Sequence, residues 1–299
     1  MIKVTFLGTS CMMPTPERNH PAVLLSWKGE NILVDCGENT QRQLRIAGIP
    51  PTAVTKILLT HWHGDHMLGL PGLLQSMIAC QYRKVLEIYG PKGTKKNLEM
   101  LMNFLTMQNE ALKIKVSEIV EDGIIFRDKE FHLEAVQVKH SAPCVAYAFQ
   151  EFPRRKINLD YTKKLGIPEG PLLGKLQQGK DIQFRNKTIK SDKATYLIEG
   201  KRIAYITDTS LVDACYKIAK SADLLVCEST FSKTDEEKAR ETHHLTAVQA
   251  ATIAKKAKCQ ALAIMHFSQR YKTAAVLLKE ARSVFKNARA MNDFDAITI

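Results

Sequence analysis

The sequence lacks the long apolar segments that mark membrane and secreted proteins. No apolar run approaches the roughly 20 residues that a membrane-spanning helix requires. Residues 1–8 contain a single lysine and no apolar stretch of signal-peptide length. These absences argue against an integral membrane protein and against a secreted one. We therefore expect a cytoplasmic protein with no membrane partner.

Cysteines are scattered, and none forms a recognisable pair. The seven cysteines stand at positions 11, 36, 80, 144, 215, 227 and 259, with no C-x-x-C among them. A cysteine-based zinc motif and a disulfide framework both require regular, close spacing, so the sequence indicates neither. Most of these cysteines are expected to be small buried apolar residues.

Acidic residues are scarce relative to basic ones. The chain has 43 Lys and Arg against 31 Asp and Glu, a net charge of +12. A basic surplus of this size favours a polyanionic partner such as nucleic acid, although basic proteins without such a partner are common. The 299 residues, 45% of them hydrophobic, are enough for one large α/β domain or two small ones.

One short segment concentrates side chains that bind metals. Residues 57–70 read ILLTHWHGDHMLGL, with four ligand-type side chains within six positions: His61, His63, Asp65 and His66. The apolar run at 57–59 reads as a buried strand, and Gly64 lets the backbone turn so that the side chains converge. The first two histidines can share one metal ion, whereas the aspartate and the third histidine point toward a neighbouring site. The segment therefore predicts two adjacent metal sites.

Three further ligand-type side chains follow apolar segments that read as strands. His140 follows Phe131–Val138, Asp208 follows Ile203–Thr207, and His266 follows Ala261–Met265. A single histidine or aspartate after a strand is more often a surface residue or a helix cap. The recurrence of four such strand endings in one chain instead indicates a shared metal centre.

Strand and helix patterns alternate in two mixed halves, at about 1–150 and 194–299. Two sheets that face each other, with helices outside, would bury both faces of each sheet. We expect an amphipathic helix over Gly93–Met107 that packs Leu105 among its apolar residues, and a tight hairpin at Asp122-Gly123. Asp295–Ile299 is expected to be a last edge strand.

Between these halves, the segment at 151–193 is rich in glycine, proline and positive charge. Residues 151–202 contain 13 Lys and Arg against 6 Asp and Glu, a surplus of +7. Beside a metal site, such a segment is suited to neutralising phosphates, although a merely solvated loop is the plain alternative. The candidate substrate-binding residues are Arg154, Arg155, Lys156, Lys163, Lys164 and Lys175.

The H-x-H-x-D-H motif resembles the signature of the metallo-β-lactamase superfamily. Further segments resemble the ribonuclease Z family of tRNA 3′-processing endonucleases: Phe6–Ser10, Arg18–His20, Gly166–Gly179, Asp208-Thr209 and His266–Tyr271. The resemblance covers essentially the whole chain. It implies an α/β (α+β) protein with a four-layer αββα sandwich, a single domain over 1–299. The segment at 151–193 would be an inserted flexible arm that binds tRNA.

The resemblance also implies a ligand set and catalytic roles. It implies one zinc ion held by His61, His63 and His140, a second held by Asp65, His66 and His266, and Asp208 as the bridge. Two zinc ions per subunit are expected, with manganese or cobalt as substitutes. Asp65 would also handle a proton, and His244, held by Glu228, would donate one. His243 precedes His244 directly, so this choice depends on the H-x-T register alone.

The sequence thus predicts a zinc-dependent endoribonuclease that cleaves the 3′ trailer from precursor tRNA. The tRNA would keep a 3′-hydroxyl and the trailer a 5′-phosphate, and the resemblance implies a homodimer. The nearest alternative is a metallo-β-lactamase-fold hydrolase of small phosphodiesters or thioesters. A metal-dependent RNA-binding protein without cleavage is a third reading. A structural zinc protein is disfavoured, because such sites are closed and usually rich in cysteine.

Overall fold

A computed structural model describes residues 1–104 and 112–299 of the chain. The strands in these ranges are β1 (Lys3–Gly8), β2 (Ala22–Trp27), β3 (Glu30–Val34), β4 (Lys56–Leu58), β5 (Leu86–Pro91), β6 (Ile114–Ile119), β7 (Gly123–Arg127), β8 (Phe131–Val138), β9 (Cys144–Glu151), β10 (Arg154–Ile157), β11 (Ile182–Phe184), β12 (Lys187–Ile189), β13 (Thr195–Ile198), β14 (Arg202–Ile206), β15 (Leu224–Glu228), β16 (Leu262–Met265), β17 (Ala288–Ala290) and β18 (Ala296–Thr298).

The α-helices in the same ranges are α1 (Thr40–Ile46), α2 (Gly64–Met67), α3 (Leu70–Ala79), α4 (Thr94–Phe104), α5 (Leu159–Lys164), α6 (Pro171–Gln177), α7 (Ser191–Ala194), α8 (Asp213–Ala219), α9 (Glu236–Glu241), α10 (Ala247–Lys256) and α11 (Ala275–Val284). Short 3-10 turns lie at Pro51–Ala53 and Lys233–Asp235. None of these helices is long and apolar enough to cross a bilayer.

Two seven-stranded sheets form the larger part of the fold. The first has the strand order β18-β1-β2-β3-β4-β5-β6, and the second has the order β17-β16-β15-β14-β9-β8-β7. β2 and β3 form an antiparallel hairpin whose turn lies at Lys28 and Gly29, both with positive φ. From β3 to β6 the strands of the first sheet run parallel.

The layer order follows from strands that are apolar on both faces. On β2, Val23 and Leu25 face the second sheet, whereas Ala22 and Leu24 pack on the helix side, as the two-residue period of a strand requires. The outer core of the second sheet contains residues of α8, α10 and α11. Helices therefore cover the outside of two facing sheets, which gives the four-layer αββα sandwich expected from the sequence.

One expectation about the chain path is wrong. Asp122-Gly123 does not close a hairpin, because β6 belongs to the first sheet and β7 to the second. The Asp122 carboxylate accepts a hydrogen bond from the backbone N–H of Gln137, 2.8 Å away on β8, so this turn belongs to the second sheet. Both halves of the sequence contribute strands to both sheets, since β7 to β9 pair in the second sheet and β18 pairs in the first.

The amphipathic helix predicted over Gly93–Met107 is described as far as Phe104. Leu98 and Met102 are buried in the core between the first sheet and its helices, which is the expected face. Leu105 and Met107 lie outside the described residues. The helix begins after Gly93, where the Glu118 carboxylate accepts hydrogen bonds from the backbone N–H groups of Gly93 and Lys95.

Residues 128–132 and 150–201 form a separate compact unit, called here the small unit. The sequence shows only an interrupted pattern there, but the structure contains two antiparallel strand pairs, β10 with β13 and β11 with β12, and the helices α5 to α7. Its own apolar core consists of Ile167, Leu176, Ile182, Ile189 and Ala194. The elements are too short to produce a clear periodic pattern, and glycines with positive φ separate several of them.

Candidate metal centre

All seven predicted ligands lie together in two groups. The first ligand group is His61, His63, His140 and Asp208, and the second is Asp65, His66, Asp208 and His266. Within each group the candidate ligand atoms lie within 4.8 Å of one another. The loops after β4, β8, β14 and β16 supply these side chains, so the recurrence of strand endings in the sequence corresponds to one place in the fold.

Asp208 belongs to both groups, and each of its oxygens faces one of them. Oδ2 lies 3.7 Å from His61 Nε2 and 3.8 Å from His140 Nε2, in the first group. Oδ1 lies 3.4 Å from His66 Nε2 and 3.1 Å from His266 Nε2, in the second group. A carboxylate placed in this way can bridge two metal ions.

The residues present fit divalent metal ions. Nε2 of His61, His66 and His266 is buried in each case and has no hydrogen-bond partner. A buried nitrogen without a partner is unfavourable, and a metal ion would satisfy each of them. Imidazole nitrogen and carboxylate oxygen together are the donor set of zinc sites, and cysteine is absent from both groups.

The nitrogens that face away from the two groups are held by defined partners. His61 Nδ1 lies 3.0 Å from Thr60 Oγ1, and His66 Nδ1 lies 2.9 Å from Asp35 Oδ2. His266 Nδ1 lies 2.9 Å from Thr230 Oγ1, and His140 Nδ1 lies 3.2 Å from the His243 carbonyl. The carboxylate and the carbonyl can only accept, so Nδ1 of His66 and His140 carries the proton. The Thr60 hydroxyl donates to Asp35, and the Thr230 hydroxyl donates to Glu228. Because a hydroxyl has only one hydrogen, each of them accepts a hydrogen bond from Nδ1 of its histidine. In the neutral form of each ring, Nε2 is then the nitrogen without a proton and is free to bind a metal.

Asp35 is a functional residue that the sequence reasoning missed. Its buried carboxylate accepts hydrogen bonds from the backbone N–H and hydroxyl of Thr60, from His66 and, at 3.3 Å, from the hydroxyl of Tyr205. It thereby orients one histidine in each ligand group: it contacts His66 directly and acts on His61 through Thr60. The available signal is an aspartate directly after an apolar strand, the same signal that identifies Asp208.

Comparisons with known proteins agree with this geometry. A family profile described as Anti-Pycsar protein Apyc1 matches residues 2–152, and one described as Beta-lactamase superfamily domain matches residues 172–267. Ribonuclease Z of Methanothermobacter thermautotrophicus is 37% identical over 302 residues, which cover 100% of this chain and 97% of that protein. Ribonuclease Z of Bacillus cereus is 35% identical over 306 residues, covering 100% and 99%.

The chain belongs to the ribonuclease Z family. The crystal structure of human tRNase Z, short form, matches with a TM-score of 0.73 and 27% identity over 99% of each chain. The metallo-β-lactamase fold protein YhfI of Bacillus subtilis matches with a TM-score of 0.72, but at 18% identity this likeness shows the fold alone. The recognition made from the sequence, the predicted fold class and the prediction of a ribonuclease are confirmed.

Burial and neighbouring charges shift the pKa values of the ligand side chains of this ribonuclease in different directions. Burial would raise the pKa of Asp208, but His266 and His66 hold that pKa well below its usual range. Burial would lower the pKa of His66, and the neighbouring carboxylates, Asp208 foremost, raise it instead. In His61 and His140 burial is the larger effect and lowers the pKa, so these two rings are neutral, as metal ligands must be.

Of the two adjacent histidines, His244 is the one placed against Glu228. Its Nδ1 lies 3.0 Å from Glu228 Oε2, and its Nε2 lies 4.0 Å from Asp208 Oδ2. Burial would lower the pKa of His244, but the Glu228 and Asp208 carboxylates together outweigh burial and raise the pKa to about 9. His243 instead directs its ring toward Ser210. The catalytic roles of Asp65, His244 and Glu228 stay predictions.

The predicted substrate-binding residues all belong to the small unit. Five of them are exposed: Arg154, Lys156, Lys163, Lys164 and Lys175. Arg155 is different, because its guanidinium is paired with Asp192 at 2.7 Å and donates to Thr195 at 3.0 Å. It therefore serves the internal structure of this unit. The role of all six in substrate binding stays a prediction.

A cleft of about 740 Å³ opens onto the two ligand groups. Two cations from outside the basic insertion line it, Lys238 and Arg270, and the sequence reasoning assigned neither a role. Arg270 lies over the Phe231 ring and pairs with Asp235 at 2.7 Å. Counting charged residues along the sequence could not identify these two cations, because they lie far apart in the sequence and only the fold places both beside the cleft.

Proposed function

We propose that this ribonuclease Z family member is a metal-dependent endoribonuclease that removes the 3′ trailer from precursor tRNA. Family membership supports the reaction class, and the full-length similarity to human tRNase Z, short form, supports tRNA as the substrate. The observation that carries the proposal is Asp208, whose two oxygens face two separate groups of ligand atoms. A bridging carboxylate of this kind suits two-metal hydrolysis of a phosphodiester.

The metal ions are proposed to be zinc, two per subunit, with manganese or cobalt as possible substitutes. The donor set of imidazoles and carboxylates supports zinc. When bound, such a pair of ions supplies an activated water and neutralises the charge that develops on the phosphoryl oxygens. Competition with a chromophoric chelator and elemental analysis would measure the number and identity of the ions.

Three side chains are proposed to orient water or handle protons. Neighbouring histidines hold the pKa of Asp65 well below its usual range against the effect of burial, so its carboxylate is ionised. Asp65 orients the attacking water or accepts its proton. His244 donates a proton to the departing 3′ oxygen, and Glu228 holds its ring in place. The products are a tRNA with a 3′-hydroxyl and a trailer with a 5′-phosphate.

The exposed cations of the small unit are proposed to bind the phosphates of tRNA. Lysines and arginines that neutralise phosphates release counterions, so binding should weaken steeply as the salt concentration rises. A duplex stem of RNA is recognised mainly by its shape and its phosphates, which suits a surface of separate cations. We further propose a homodimer located in the cytoplasm, as the family resemblance and the tRNA substrate suggest. Light scattering after size exclusion would test the dimer.

Incubation with a 3′-extended precursor tRNA, with and without a chelator, tests the proposed function. The metal-loaded protein should shorten the precursor, and both chelation and Asp65→Ala should abolish cleavage. Hydrolysis of small phosphodiesters with no cleavage of precursor tRNA would instead favour the alternative, a metallo-β-lactamase-fold phosphodiesterase for small substrates. Binding of the precursor without any cleavage would favour a metal-dependent RNA-binding protein.

A further inference from the structure

His243, the neighbour of the proposed proton donor, has an unusual backbone conformation. Its φ is +57°, in the left-handed region that residues other than glycine seldom occupy. Such a residue keeps this conformation only where its surroundings hold it. Two contacts do so here: the backbone carbonyl lies 3.2 Å from His140 Nδ1, and the ring Nδ1 lies 3.0 Å from Ser210 Oγ.

The carbonyl contact determines which nitrogen His140 offers to a metal. A carbonyl oxygen can only accept, so His140 Nδ1 carries the proton. Its Nε2 is then the unprotonated nitrogen, and this atom lies 3.2 Å from His63 Nδ1 within the first ligand group. The position of one backbone carbonyl, that of residue 243, thus prepares a ligand of the first group.

Ser210 ties the loop of residue 243 to two loops of the metal centre. It follows Asp208 by two residues, and its backbone N–H donates to the Lys139 carbonyl at 2.8 Å. Thr209, which lies between Asp208 and Ser210, donates its N–H to Glu228 Oε1, while Glu228 Oε2 contacts His244. These hydrogen bonds form a closed circuit that joins His140, the Asp208 loop and the His244 loop.

We propose that Ser210 and His243 form a positioning pair that couples the first ligand group to the proton donor. The serine hydroxyl holds the His243 ring, and the ring keeps residue 243 in its left-handed conformation. That conformation directs the carbonyl toward His140 and the following residue, His244, toward Glu228. Neither member of the pair needs to touch the substrate. The kinetic consequence rests on the proposed function, whereas the effect on metal affinity does not.

Zinc affinity, measured by competition with a chromophoric chelator, tests the pair without RNA. His243→Gly removes the ring that holds residue 243, so its backbone is as free to leave the left-handed conformation as to adopt it, and Ser210→Ala removes only the hydroxyl. Each variant should weaken the binding of one of the two zinc ions about 10- to 100-fold, which is the usual effect of losing an outer partner of a ligand. The affinity for the other ion should stay unchanged. The double variant should lose no more than either single variant, because both changes break one interaction.

His243→Asn is the rescue variant. Asparagine tolerates the left-handed conformation and carries a short polar side chain that can meet the serine hydroxyl, so zinc affinity should return toward that of the unmodified protein. In the zinc-loaded protein, His243→Gly should lower kcat for bis(p-nitrophenyl) phosphate and leave KM unchanged, because the pair acts on the metal and the proton donor. Thermal melting of the zinc-free variants identifies any that fail to fold.

Unchanged zinc affinity in folded His243→Gly and Ser210→Ala would overturn the proposal, as would losses that add in the double variant. The two proposals fail in different ways. If the variants bind zinc more weakly but the unmodified protein does not cleave precursor tRNA, the result contradicts the proposed function and supports the pair. Normal zinc affinity of the variants in an active enzyme contradicts the pair alone.

Discussion

Asp208 is the residue at which the two ligand groups meet, and its charge is as important as its position. Each oxygen faces two imidazole nitrogens from different loops, so the carboxylate connects four histidines. The seven ligands could be found in the sequence because each one follows an apolar strand or lies in the histidine motif. Asp35 follows a strand as well, but it acts through hydrogen bonds to Thr60 and His66, which no local pattern reveals.

Asp208→Asn should reduce the bound metal to one ion or fewer per chain. The asparagine amide has nearly the same shape, but it replaces one acceptor oxygen with a donor and removes the negative charge that both ions need. Elemental analysis after dialysis would measure the change. Asp213→Asn, an exposed aspartate five residues further on, is the matched control and should keep the metal content of the unmodified protein. Two ions retained in Asp208→Asn would refute the bridge.

Asp35→Asn should weaken zinc binding about 10- to 100-fold, because His66 loses the acceptor that fixes its ring. The buried amide also leaves hydrogen bonds unmade, so the zinc-free protein should lose about 1–3 kcal/mol of unfolding free energy. Chelator competition and urea unfolding measure the two effects separately. Tyr205→Phe removes only the longer bond to Asp35 and should change zinc affinity far less.

At the scale of elements, strands could be predicted from their apolar runs, but their partners could not. Phe131–Val138 has the bounds that the sequence suggests, since it is largely apolar and flanked by clear breaks. The segments on either side of Asp122-Gly123 are also strands, yet they enter different sheets. Turn chemistry is local, whereas sheet membership depends on contacts with residues far away in the sequence.

Gly69→Ala should destabilise the fold by about 1–3 kcal/mol or more, the cost of overpacking a tight contact. A Cβ at residue 69 would lie 2.0 Å from the backbone oxygen of Gly37, which cannot move without shifting the loop after β3. Gly72→Ala, in the helix α3 that begins directly after Gly69, is the matched control. Its Cβ would meet only the far end of the flexible Gln41 side chain, so urea unfolding should show a much smaller loss. Equal losses in the two variants would contradict this account.

At the scale of the whole molecule, the small unit is the part that the sequence described least well. Its basic composition was evident, but its strand pairs, short helices and separate core were not. The N–H of Glu151 donates to the Lys201 carbonyl at 2.9 Å, so the two ends of the unit lie side by side. The unit can therefore be removed without separating the strands that flank it.

Replacement of residues 153–199 by a short turn should abolish cleavage of precursor tRNA and spare hydrolysis of bis(p-nitrophenyl) phosphate. The deletion removes the exposed cations proposed to bind tRNA phosphates, and all seven ligands remain. Steady-state rates on both substrates give the result. A variant with glutamine at Arg154, Lys156, Lys163, Lys164 and Lys175 serves as the control that keeps the fold of the unit. Equal losses on both substrates would argue against a tRNA-binding role.

The chemistry of the product ends tests the central claim most directly, that a two-metal centre cleaves precursor tRNA with water. A 3′-extended precursor should be cut once by the zinc-loaded protein, leaving a 3′-hydroxyl on the tRNA and a 5′-phosphate on the trailer. A chelator should abolish this cut, and added zinc should restore it. An intact precursor, or a 2′,3′-cyclic phosphate at the new end, would contradict the account, because a cyclic phosphate arises from attack by the RNA's own 2′-hydroxyl.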